Sequence, residues 1–147
     1  MIEKCRSRFT KELKAGRMLG GAGWTREMVQ SFLGRDVYTI PCGSVPKGDD
    51  PNGRIVHNYS YAVDKGCSVN LALLENSVQY IAFKDRVKAL SQVSWYITVD
   101  LKAGYRQMPL SPSEWFTQVY SLGPREYYID VFMPFGKRTH LRCSATR

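Results

Sequence analysis

The sequence predicts an α+β fold, and three observations lead there. Its elements read in the order helices, hairpin, helix, then strands, which is not the strand–helix alternation of a parallel sheet. Phe83, Val87 and Leu90 fall at helical spacing, whereas Trp95, Ile97 and Val99 alternate with polar neighbours as on a strand. Between the first helices and the later strands, residues 47–53 (KGDDPNG) hold Gly, Asp, Pro and Asn together, each favouring a tight reversal. The 147 residues suit one compact domain or a piece of a larger one.

Residues 1–33 read as helical with a break at Gly20, Gly21 and Gly23. Thr25 is placed to cap a short helix beginning at WTREMVQSFL, its hydroxyl accepting from the first-turn amides. Residues 36–46 (DVYTIPCGSVP) are β-branched and apolar, but Pro41 and Gly43 interrupt them, which predicts an edge strand or two short ones. RIVHNYSY returns after the turn, making Lys47 and Arg54 the two feet of a hairpin. Residues 62–82 read as mostly irregular, and a short amphipathic helix is expected over 83–92. SWYITVDL is the clearest strand, with Trp95, Ile97 and Val99 on one face and Tyr96, Thr98 and Asp100 on the other. FTQVYSL and EYYIDVFM form a further strand pair across Gly123-Pro124.

Lys and Arg number 21 against 13 Asp and Glu, a net charge of +8 that suits a polyanionic partner. Cys5, Cys42, Cys67 and Cys143 show no C-x-x-C pair, and His57 and His140 stand alone, so no zinc spacing is present. These cysteines read as reduced thiols. No apolar run reaches the length of a bilayer span, which predicts no membrane partner. The basic start MIEKCRSRFTKELK lacks an apolar signal core, and Glu3 and Glu12 are unlike a mitochondrial presequence. An intracellular protein, cytoplasmic or nuclear, is the expectation.

Asp100 ends a β-branched strand and is followed by LKAGYRQMPL. A carboxylate at a sheet margin, with the adjacent Leu101 carbonyl, suits a divalent metal of the kind that clamps attacking and leaving oxygens in nucleotidyl transfer. An Asp at a strand end is more often simply solvated, and the pair Asp100 and Tyr105 is not specific by itself.

Four segments in order add to this. VDLKAGYRQMPLSPSEW resembles the first palm motif of reverse transcriptases, and SVPKGDDPNGRIVHNYSY is similar to their fingers hairpin. KGCSVN resembles the segment that follows that hairpin in tyrosine-recombinase (DIRS-type) retrotransposons, and EYYIDVFMPFG resembles the strand leading into the Pro-Phe-Gly turn of the next palm motif. KAGRMLGG resembles the same subfamily's lead-in, so the likeness runs over roughly residues 13–136. It implies the fingers and partial palm of a right-hand RNA-directed DNA polymerase. The lead-in would span residues 1–35, the fingers-like hairpin and helix 36–92, the partial palm 93–136, and a basic tail without family pattern 137–147.

The resemblance makes Asp100 the first catalytic metal ligand, with the Leu101 backbone carbonyl beside it, for magnesium or manganese once the palm is complete. Lys47 and Arg54 would grip the incoming triphosphate, and Tyr105 would gate against a ribose 2′-hydroxyl. Phe135 and Gly136 would line the nucleotide pocket. Template-primer RNA or DNA and deoxynucleoside triphosphates would be the partners.

Departures from the pattern are also plain. The paired Asp residues of the later palm hairpin have no match, since only Glu114, Glu126 and Asp130 follow Asp100. Asn58 and Leu71 stand where the family carries Asp, and the ending KRTHLRCSATR leaves the pattern altogether. The chain thus reads as truncated or frame-shifted before the second catalytic motif and inactive alone, unless a second chain supplies the rest of the palm and thumb. The alternatives are a relic reading frame or a non-catalytic nucleic-acid binder. The binder would use Lys47, Arg54, Arg106 and the tail around Lys137, Arg138 and Arg142, with Tyr59 or Tyr105 stacking on bases.

Overall fold

The computed structural model describes residues 1–48, 50–62, 68–72, 82–93 and 95–137. It is a small mixed α+β assembly built on a three-stranded antiparallel sheet and a separate two-stranded hairpin.

Helix α1 (Ile2–Lys14) carries Cys5, Phe9 and Leu13 at intervals of four, so one face is apolar and packs into the core. The expected helix break at the glycines is instead a strand, β1 (Met18–Ala22), paired antiparallel with β5 (Glu126–Asp130). The reason is close backbone approach. Gly20 sits at φ +94°, and a Cβ there would stand 2.4 Å from the Tyr127 carbonyl oxygen. Helix α2 (Arg26–Leu33) begins as expected, with Thr25 Oγ1 accepting from the Met28 amide at 3.3 Å, and ends at left-handed Gly34.

Strands β2 (Cys42–Lys47) and β3 (Asp50–His57) form the expected antiparallel hairpin. Its reversal is narrower than KGDDPNG suggested. Lys47 already pairs with Asp50, while Arg54 lies opposite Val45, so Lys47 belongs to the turn end of the ladder and not to its foot. The apolar stretch 36–46 thus gives one strand from Cys42 on, and before it only Thr39 pairs, through an isolated bridge to Val119. Helix α3 (Val69–Ala72) is a single turn. Most of the rest of 62–82, and the tail with Arg138, His140, Arg142 and Cys143, fall outside the described residues.

Strands β4 (Val119–Gly123) and β5 make the second expected hairpin, and β5 is central in the order β1-β5-β4. The first residues of FTQVYSL are not strand, because Pro112–Thr117 turns as a 3-10 helix. Alternation along the strands gives the sheet two apolar faces. Met18, Tyr120 and Tyr128 join Cys5 and Phe9 of α1, with Ile40 and Tyr59, on one side. Val119 and Ile129 join Val29 of α2, with Val37 and Val131, on the other.

One expectation fails outright. Residues 95–100 form no strand, and Trp95, Tyr96, Ile97 and Val99 are 90, 78, 89 and 76% exposed. The sequence pattern was that of a strand, but no described strand pairs with it, and a lone strand leaves its backbone groups without partners. Helix α4 (Phe83–Leu90) forms as expected, yet Phe83, Val87 and Leu90 are exposed and cover nothing in the core. Among the described residues no helix is long and apolar enough to cross a membrane.

Candidate functional site

A cleft of about 1180 Å³ opens between α1, the β2–β3 hairpin and the loops at 103–106 and 134–136. The walls follow from the packing. Because Cys5, Phe9 and Leu13 of α1 face the core, its flank with Lys4, Arg8 and Lys11 is turned to the cleft. The hairpin is held against that flank by Lys4, whose Nζ donates to the Gly53 carbonyl at 3.0 Å. Gly53 permits the bend, at φ +57°, where a Cβ would stand 2.3 Å from the Val45 carbonyl oxygen.

Five of the sequence-expected residues line this cleft: Lys47, Arg54, Tyr105, Phe135 and Gly136. Tyr105 lies in the 3-10 helix Gly104–Gln107, behind Ala103, which takes the left-handed φ of +52°. The Tyr105 and Phe135 rings meet edge to face, with centroids 5.5 Å apart. Both are accessible, at 49 and 73% exposure. The Gly136 carbonyl accepts from Asn70 Nδ2 at 3.1 Å, which ties this turn to α3.

The other two do not join them. Asp100 and Leu101 are exposed and lie outside the lining. The sheet margin expected to hold Asp100 rigid is missing because its strand does not form. The Leu101 carbonyl accepts the Gly104 amide at 3.1 Å and so closes a local turn. No group of three or more His, Cys, Asp or Glu gathers as a metal site among the described residues.

Charge in the cleft is uneven. Glu12 is bound by Arg17 at 2.7 Å and Arg106 at 2.8 Å, and Asp130 by Arg106 at 2.5 Å. Glu3 pairs with Arg6. Burial would raise the Glu12 carboxyl, but hydrogen bonds from Arg17 and Arg106 outweigh it and hold the pKa at about 2. For Asp130 burial dominates and the shift is upward, against the pull of Arg106. The cleft acids are thus already matched by cations. Lys11, Lys47 and Arg54 have no carboxylate partner among the described residues, and Arg8 reaches Glu12 only at 4.0 Å. What remains is a cationic lining with two accessible rings, an arrangement that can hold phosphates and a flat or sugar-like group.

His57 also lines the cleft but is not a candidate base. Burial, then the charges of Arg8 and Arg106, push its pKa down to about 4. Cys42 Sγ sits 3.4 Å from its Nδ1, and burial pushes that thiol up to about 12. Both Cys42 and Cys5 are free thiols.

Three assignments of the binder reading are corrected. Arg106 is locked between Glu12 and Asp130, with its side chain 13% exposed, so it is not available to a phosphate. The Lys137 side chain is 1% exposed, and Tyr59 is buried with its hydroxyl bonded to Tyr120 and Gln118. Sequence reading missed Lys4, Arg8 and Lys11. Their i, i+4, i+7 spacing was a usable sign, since it sets them on one flank of α1.

No protein-family model, curated protein or solved structure matches this chain.

Proposed function

We propose that the chain is the fingers and first palm portion of a retroelement reverse transcriptase, nearest the tyrosine-recombinase (DIRS-type) elements. Its cleft would seat the triphosphate and sugar of an incoming deoxynucleotide. The observation that carries this is the convergence of Lys47, Arg54, Tyr105, Phe135 and Gly136, drawn from three separate segments, on one cleft. Arg54 offers a planar fork to phosphate oxygens and Lys47 a compact charge. Tyr105, braced edge-on by Phe135, is accessible to press against a nucleotide sugar.

Magnesium or manganese would supply the Lewis acid of nucleotidyl transfer, but the described acids do not fit a two-metal site. Asp100 is an exposed carboxylate that belongs to no group of three metal-ligating side chains among the described residues. On this reading the chain binds substrate and template-primer, and extension requires further carboxylates from additional palm sequence or a second polypeptide. A non-catalytic nucleic-acid binder is the second reading, favoured by the position of Asp100 outside the cleft.

Primer extension on an RNA template with magnesium separates the two. The folded chain should extend a primer only when the remaining palm and thumb are supplied, and loss of that extension in Asp100→Ala would show that the completed palm recruits this carboxylate. Tyr105→Val should relax discrimination against ribonucleotides. No extension by a folded, supplemented chain would retire the polymerase reading and leave the binder.

A further inference from the structure

We infer that α1 is a ligand-binding wall of the cleft, with Arg8 and Lys11 engaging the phosphodiester backbone of a single-stranded polynucleotide alongside the nucleotide seat. The inference rests on the reading of the cleft as a nucleotide site and assigns a polymer contact to a helix that lies outside the hairpin and palm motifs. Three observations carry it. Arg8 and Lys11 lie one helical turn apart, both exposed and both facing the cleft. Lys11 has no carboxylate partner among the described residues, and the nearest to Arg8 is Glu12 at 4.0 Å, itself bound more closely by Arg17 and Arg106. The third is division of labour along the helix. Lys4 holds the hairpin through Gly53, and Glu12 neutralises Arg17 and Arg106.

The size of the cleft and the placing of its cations agree with a polymer. At about 1180 Å³ the cleft exceeds the usual range of roughly 300–1000 Å³ for a single small ligand. Cations stand on two walls, Arg8 and Lys11 on the helix and Lys47 and Arg54 on the hairpin, and the Tyr105 and Phe135 rings offer stacking surfaces beside them.

The test uses the full chain and two probes, a fluorescein-labelled oligothymidylate and a deoxynucleoside triphosphate. Arg8→Gln/Lys11→Gln should reduce the salt slope of oligonucleotide binding by about 1.4, the loss of two single-strand phosphate contacts. Affinity at 0.1 M salt should then fall roughly twenty-fold. Triphosphate affinity should stay within about twofold, whereas Lys47→Gln/Arg54→Gln should weaken it. Lys84→Gln/Lys88→Gln, which removes two charges from α4, should leave the oligonucleotide slope near that of the parent. Circular dichroism checks that each variant is folded. An unchanged slope in the α1 variant, with triphosphate binding still lost in the hairpin variant, overturns the inference and spares the nucleotide seat. Equal loss of both probes in the α1 variant also overturns it, because α1 then serves the triphosphate. If the parent chain binds neither probe, both readings fall together.

Discussion

Arg106 follows Tyr105 directly, yet the two residues do opposite work. Tyr105 offers the cleft an accessible ring, while Arg106, in the same lining, is fixed between Glu12 of α1 and Asp130 of β5. Removing one partner from a buried pair leaves an uncompensated charge, so Arg106→Ala should cost about 3–5 kcal/mol in urea denaturation. A loss below about 1 kcal/mol would show that water reaches these carboxylates. The same residues set an acid response. His57 is held neutral, with its pKa near 4 against an ordinary 6.5, so the unfolded chain takes up its proton first and stability falls as pH drops from 6.5 toward 4. Glu12, at about 2 against 4.5, continues that loss below pH 4.5. Asp130, shifted upward by burial, works against the trend just above 3.8. The melting temperature should therefore be flat between about pH 7 and 8 and decline below 6.5, and His57→Asn should remove the upper part of the decline. A melting temperature constant between about pH 7 and 5 would contradict this account of His57.

At the scale of elements, β1 depends on a backbone that only glycine allows. Gly20→Ala places a Cβ against the Tyr127 carbonyl at a left-handed φ, and should destabilise the chain by more than about 1 kcal/mol, with loss of β1–β5 pairing in amide exchange. Local features were legible in the sequence. Thr25 and α2, both hairpins and α4 rest on caps, turns and short-range periodicity, which are written within a few residues. Long-range pairing was not. The sheet order β1-β5-β4 joins segments more than a hundred residues apart, and the glycine-rich stretch that permits it reads locally as a break. The site divided in the same way. Residues on legible turns reached the cleft, whereas Asp100 was placed by a strand that needs a neighbour to exist. The amides of 95–101 should accordingly exchange without protection, while those of β5 are slow. Protection across 95–101 in the isolated chain would show that a partner strand is present after all.

For the molecule as a whole, the net charge of +8 is partly consumed in structure and partly displayed. Arg6, Arg17 and Arg106 are spent on Glu3, Glu126, Glu12 and Asp130, and these pairs hold α1 to the sheet and the cleft loop. Of the cations left over, Lys4, Arg8, Lys11, Lys47 and Arg54 line the cleft, beside two accessible rings. On the proposed reading this cleft is a nucleoside triphosphate seat. The most direct measurement is titration of the folded chain with a deoxynucleoside triphosphate, compared with Lys47→Gln/Arg54→Gln. Saturable binding that weakens at least tenfold in the double variant, about 1.4 kcal/mol, is the predicted result. Binding indifferent to both substitutions, or no binding by a folded chain, would contradict the account.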